Sequence, residues 1–117
     1  MTKYAVSREG TTLVTLHEGS DTTARDEATE EVTATLEELT AEGTITDWEL
    51  DDADVYEPPA GPFDPYTITV SFAVTVTVEA DDAERATEIG ANAIDDALEE
   101  AGVESVSYTT SPAASAA

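Results

Sequence analysis

One histidine, 27 carboxylates and a scatter of serine and threonine hydroxyls are what this 117-residue chain can bring to chemistry, because it contains no cysteine. Thiolate metal sites, disulfides and thiol nucleophiles are therefore excluded. His17 stands alone, so a histidine metal site or a hydrolytic triad would have to borrow residues from another subunit. Its place near the end of a strand segment suits a structural imidazole better than a catalytic one. Asp51, Asp52 and Asp54 crowd together and could gather Ca²⁺ or Mg²⁺, but the glycine and the terminal glutamate of an EF-hand loop are missing. In so acidic a chain, three neighbouring carboxylates are expected by chance. No phosphate-cradling G-x-x-x-x-G-K-[ST] or G-x-G-x-x-G run is present. Carboxylate pairs can catalyse glycoside or proton-transfer reactions only where a pocket raises one pKa, and the acids here fall mainly on polar helix faces and in segment 51–65. The sequence thus assigns no catalytic residue, no cofactor and no metal ligand, and it points away from an enzyme.

The charge balance says more. Lys3, Arg8, Arg25 and Arg85 are the only cations against 27 acids, a net charge of −23. At ordinary ionic strength, with a Debye length of ~8 Å, such a surface repels itself; in molar salt the length falls to ~3 Å and the repulsion is screened. The dominance of Thr, Ala, Val, Asp and Glu resembles the cytoplasmic proteins of salt-in haloarchaea and of their viruses. That resemblance implies a halophilic protein bathed in solvent cations, cytoplasmic or carried in a virion. Four scattered cations cannot hold a polyphosphate, so nucleic acid is an unsuitable partner. No apolar run nears the ~18 residues of a membrane span, and MTKYAVSREG lacks the apolar stretch of a secretory signal.

The elements that must position any site are legible from periodicity. In residues 66–79, Ile68, Val70, Phe72, Val74, Val76 and Val78 alternate with Thr67, Thr69, Ser71, Ala73, Thr75 and Thr77, which predicts a long strand with one apolar and one hydroxyl-rich face. Asp81 or Asp82 then caps a helix, with Asp81 and Glu84 approximating a capping box. Its small-residue face is Ala83, Ala86, Gly90, Ala93, Ala97 and Ala101, widened by Ile89, Ile94 and Leu98. Gly102 ends it and 103–109 reads as a strand. The first half repeats this order: strand 11–18, a helix entered through Gly19, Ser20 and Asp21 with Ala24, Ala28, Val32, Leu36 and Leu39 as its buried stripe, Gly43 as its end, and strand 44–50. Two β-α-β units with both helices on one face predict an α+β two-layer sandwich, a ferredoxin-like variant with an antiparallel or mixed sheet of about five strands. Segment 3–8 is either an extra hairpin strand or the front half of one bent strand. One domain over residues 1–110 and a Ser/Ala-rich tail over 111–117 follow.

Segment 51–65 is predicted to be a connecting loop, since its prolines remove donors and fix φ. Tyr56, Pro58, Pro59, Phe63 and Pro65 are its candidate partner contacts. The order helix, then Val55, Tyr56, Glu57, Pro58, Pro59, a short loop, Pro65, Tyr66 and a long strand feeding a helix is similar to that of small tail-terminator proteins of tailed viruses. In outline the chain is also similar to ACT-type regulatory modules, which implies ligand binding near Gly19, Ser20 and Asp21. The expected function is a non-enzymatic interaction or assembly subunit with a protein partner, chiefly a second copy of itself. The uncharged hydroxyl face of the long strand is where self-association costs least. A small-ligand regulatory domain and a tail-terminator-like structural protein are the alternatives.

Overall fold

The computed structural model describes residues 1–17, 20–57, 61, 64–103 and 106–116. Elements run in the order β1 (Thr2–Leu16), α1 (Asp21–Ala41), β2 (Asp47–Glu57), β3 (Tyr66–Ala80), α2 (Ala83–Glu100), β4 (Ser107–Tyr108) and β5 (Ala113–Ala116). All strands join one antiparallel sheet, ordered β2-β3-β1-β4, with β5 also on β1. The fold is α+β, a five-stranded sheet with two helices. No helix among the described residues is long and apolar enough to cross a membrane.

Strand β3 forms the spine. Ile68, Val70, Phe72, Val74 and Val76 are buried, while Thr67, Thr69, Ser71, Ala73 and Thr75 between them are only partly covered. It pairs along its whole length with β1, from Leu16 opposite Tyr66 to Thr2 opposite Ala80. Segment 3–8 is thus no separate hairpin strand: β1 runs unbroken through Glu9 and Gly10. Gly10 lets β4 lie close, because a Cβ there would stand in tight contact, 3.0 Å from the Ser107 carbonyl oxygen and 3.3 Å from the Tyr108 ring.

Both helices lie over the inward residues of β1, β2 and β3 in one core. In α1 the buried side chains are Ala24, Ala28, Val32, Leu36 and Leu39, every fourth or third residue, as a helix facing a sheet requires. Ser20 caps it, its Oγ accepting from the Thr23 N–H at 3.2 Å. In α2 the buried set is Ala86, Gly90, Ile94, Ala97 and Leu98, whereas Ala83 and Ala101 are exposed. Asp82 is its cap, accepting from the Arg85 N–H at 2.8 Å; the residue three on is then Arg85, so Asp81 and Glu84 do not form the expected box. The absence of a side chain at Gly90 sets how close α2 comes: a Cβ would stand 2.6 Å from Val6 Cγ2.

The two helices end alike. Gly43 and Gly102 take φ of +80° and +81°, where a side chain would be strained. Around them Thr44 N–H bonds the Leu39 carbonyl and Val103 N–H the Leu98 carbonyl, each at 3.0 Å. This is the Schellman closure at both C-termini.

Two expectations need correction. Residues 51–57 are not loop: β2 extends through them, with register breaks between Leu50 and Asp52 and between Val55 and Glu57. An extra residue at each break disrupts the alternation by which a strand is recognised. Of the strand expected at 103–109, residues 104 and 105 lie outside the described residues and only Ser107 and Tyr108 of the rest form a strand; the sheet's edge continues through β5, drawn from the Ser/Ala-rich tail.

Candidate functional site

The sequence-derived contact residues are only partly in view. Tyr56 is the extra residue at the second break of β2 and stands 62% exposed. Pro65 is half-buried directly before β3. Pro58, Pro59 and Phe63 lie outside the described residues.

Asp51, Asp52 and Asp54 do not converge. Asp52 and Asp54 sit opposite Ser71 and Thr69, and Asp51 occupies the bulge between registers. Residues paired across a sheet share a face. Asp47, Glu49, Asp52, Asp54 and Glu57, opposite Thr75, Ala73, Ser71, Thr69 and Thr67, therefore form one row of carboxylates on the face turned away from the helices. Successive members stand roughly 7 Å apart along an extended chain, too far for a shared ligand sphere. His17 is exposed.

The outer face is graded across its strands. Its middle is the hydroxyl row of β3, where Thr75 Oγ1 and Ser7 Oγ of β1 lie 2.8 Å apart. On β2 it is bounded by the carboxylates. On β1 it carries Ala5, Ser7, Glu9, Thr11, Leu13 and Thr15, opposite Thr77, Thr75, Ala73, Ser71, Thr69 and Thr67. Glu9 thus sets one carboxylate within a strip that β3 alone would leave neutral.

The far edge is built differently. β4 and β5 both pair with β1, and residues 109–112 between them leave the ladder. Arg8 fastens this break: its Nε–H donates to the Thr110 carbonyl at 3.2 Å and its guanidinium lies 3.8 Å from the centre of the Tyr108 ring. The Thr109 N–H bonds the Glu9 carbonyl, and the Glu9 N–H the Thr110 hydroxyl. Tyr108 reaches α2, donating to Asp95 Oδ1 at 3.0 Å. Partial burial, then the Asp95 carboxylate, push the Tyr108 hydroxyl up to about 12, with Arg8 opposing. No spacing in the sequence announces this cluster; its only trace is that residues 106–116 carry no charge.

Asp95, Asp96 and Glu99 bring carboxylate oxygens within 4.8 Å of one another on the exposed side of α2. A cavity of about 300 Å³ opens between the C-terminal ends of the helices, lined by Thr35, Glu38, Glu42, Thr44 and Glu100 among others. Both places are acidic and open to solvent. The comparisons add no relative: no protein-family model, no curated protein and no solved structure matches this chain.

Proposed function

We propose that this protein is a non-enzymatic interaction or assembly subunit of halophilic character, whose contact surface is the outer face of its sheet. One observation carries the reading: the helices cover only the inner face, and the partly exposed row Thr67, Thr69, Ser71, Ala73, Thr75 runs uncharged down the middle of the other. In a chain of net charge −23, that is the face another protein can approach with least desolvation of charge. The carboxylates of β2 along one side give the approach a direction. The body is read as a ferredoxin-like variant, a reading supported by the interleaving of its two β-α-β units: β1 and β2 run parallel on either side of β3. A small-ligand module would want a concave site at the entry to α1, where Gly19 lies outside the described residues; among the described residues a cavity of about 300 Å³ lies at the helices' other ends.

Site-specific photo-crosslinking in a molar-KCl native lysate tests this. A crosslinker at Ser71 on the outer face is expected to capture discrete protein adducts that one at Glu30 on α1 does not. Equal capture from both positions, or none from Ser71, rejects the reading.

A further inference from the structure

We propose that the edge formed by β4 and β5 is a self-pairing surface, on which a second copy of this chain adds its own β5 antiparallel about a two-fold axis, joining two five-stranded sheets into one. The inference concerns a surface separate from the outer face and stands or falls independently of it.

The sheet has two edges, and they are unequally defended. Edge strands present unpaired N–H and C=O groups that template pairing with another chain, and charge and bulges are the usual defences. The β2 edge has both: the carboxylates Asp47, Glu49, Asp52, Asp54 and Glu57 and two register breaks. β5 has neither. It pairs on one side with Tyr4 to Ser7, and no described strand pairs with its other side. Its residues, Ala113, Ala114, Ser115 and Ala116, are small enough for two backbones to meet without a clash.

Electrostatics selects the same place. Two copies of charge −23 can touch only where the local field is least adverse. Residues 106–116 are uncharged, and the β1 stretch that β5 pairs with is bracketed by Lys3 and Arg8, two of the chain's four cations. Arg8 also holds the 109–112 break to β1 through Thr110, so the edge is fixed before any second copy arrives.

Symmetry limits the product. A two-fold β5–β5 pair is isologous and closes, leaving only the guarded β2 edges outside; a head-to-tail β5–β2 pair would run on into fibres, and the acids and bulges of β2 oppose it. A four-residue strip is short against the ~800 Å² per partner of standard interfaces, so the dimer is concentration-dependent rather than obligate.

The test is sedimentation in molar KCl across a concentration series, with circular dichroism in the same buffer. The wild type is expected to pass from one copy to two. Ala113→Lys with Ser115→Lys sets like charges against each other across the new seam and is expected to weaken association ~10-fold or more while β5 stays on β1. Because the chain has no cysteine, Ala114→Cys and Ser115→Cys report contact directly. Disulfide-linked dimers are expected from one or both, and none from Asp52→Cys on the other edge. A single-copy mass at every concentration, association unchanged in the double lysine variant, or equal crosslinking from Asp52→Cys each overturns the proposal.

Discussion

The two faces of β3 divide the labour of this molecule residue by residue. Turned inward, Ile68, Val70, Phe72, Val74 and Val76 are almost wholly buried under two helices; turned outward, Thr67, Thr69, Ser71, Ala73 and Thr75 stay partly exposed beside a row of acids. The same backbone serves both, because the pleat sends neighbours to opposite sides. Apolar burial, at ~25 cal/mol per Å², makes the inner face the seat of stability. The outer face contributes little of that kind and is governed by charge and screening. Packing and electrostatics can therefore be varied separately in this protein.

Salt should separate them most strongly. Lowering KCl from molar to about 0.01 M stretches the screening length from ~3 to ~30 Å. The thermal melting temperature followed by circular dichroism is expected to collapse; equal melting at both salt levels would remove electrostatics from the comparison. Next is Phe72→Ala on the inner face, expected to cost ~3–5 kcal/mol by denaturant titration in molar KCl. Gly90→Ala sets a Cβ against Val6 and is expected to lose ~1–3 kcal/mol by overpacking, despite alanine's better helix propensity. Val6→Gly in the same chain removes the nearest clashing atom, Val6 Cβ, together with its methyls, so the combined loss should fall short of the sum of the single losses; additive losses would show that α2 is not seated on Val6.

On the outer face, Thr75→Ala forfeits only the hydroxyl contact with Ser7 and should cost under about 1 kcal/mol. A loss matching that of Phe72→Ala would mean both faces are packed. The smallest effect lies at high pH. Tyr108 keeps its proton to about 12 in the folded chain against the ordinary 10.0, so its contribution is complete below pH 10 and is lost as pH rises through 12. Tyr108→Phe should flatten stability across that window in denaturant titrations.

What could be read from the sequence was whatever strict periodicity carries. The α1 stripe, the alternation of β3 and the two closing glycines are local patterns that burial or backbone geometry enforces. The start of β2 was legible as the strand 44–50, but its second half escaped because its acids are poor strand formers and its two extra residues, Asp51 and Tyr56, break the alternation. β5 escaped because Ala113 to Ala116 have no apolar signature; only pairing with β1 makes them a strand. Segment 3–8 could not be told from a separate strand, yet β1 continues through Gly10, which lies opposite Tyr108 of β4. The grading of the outer face depended on register, since Glu9 and Ala73 are neighbours only across the ladder.

The position of β1 in the sheet has a consequence for how the protein is made. It is synthesised before the rest of the sheet, and every strand it pairs with comes much later: β3 at residues 66–80, then β4 and β5. Only the β2–β3 hairpin joins strands adjacent in sequence. Until β3 emerges, Val6 and Val14 have nothing to close against, and a chain whose contacts are so distant folds slowly and stays open to misassociation meanwhile. The acids of α1, synthesised next, are expected to hold nascent copies apart by like-charge repulsion while β1 is still unpaired.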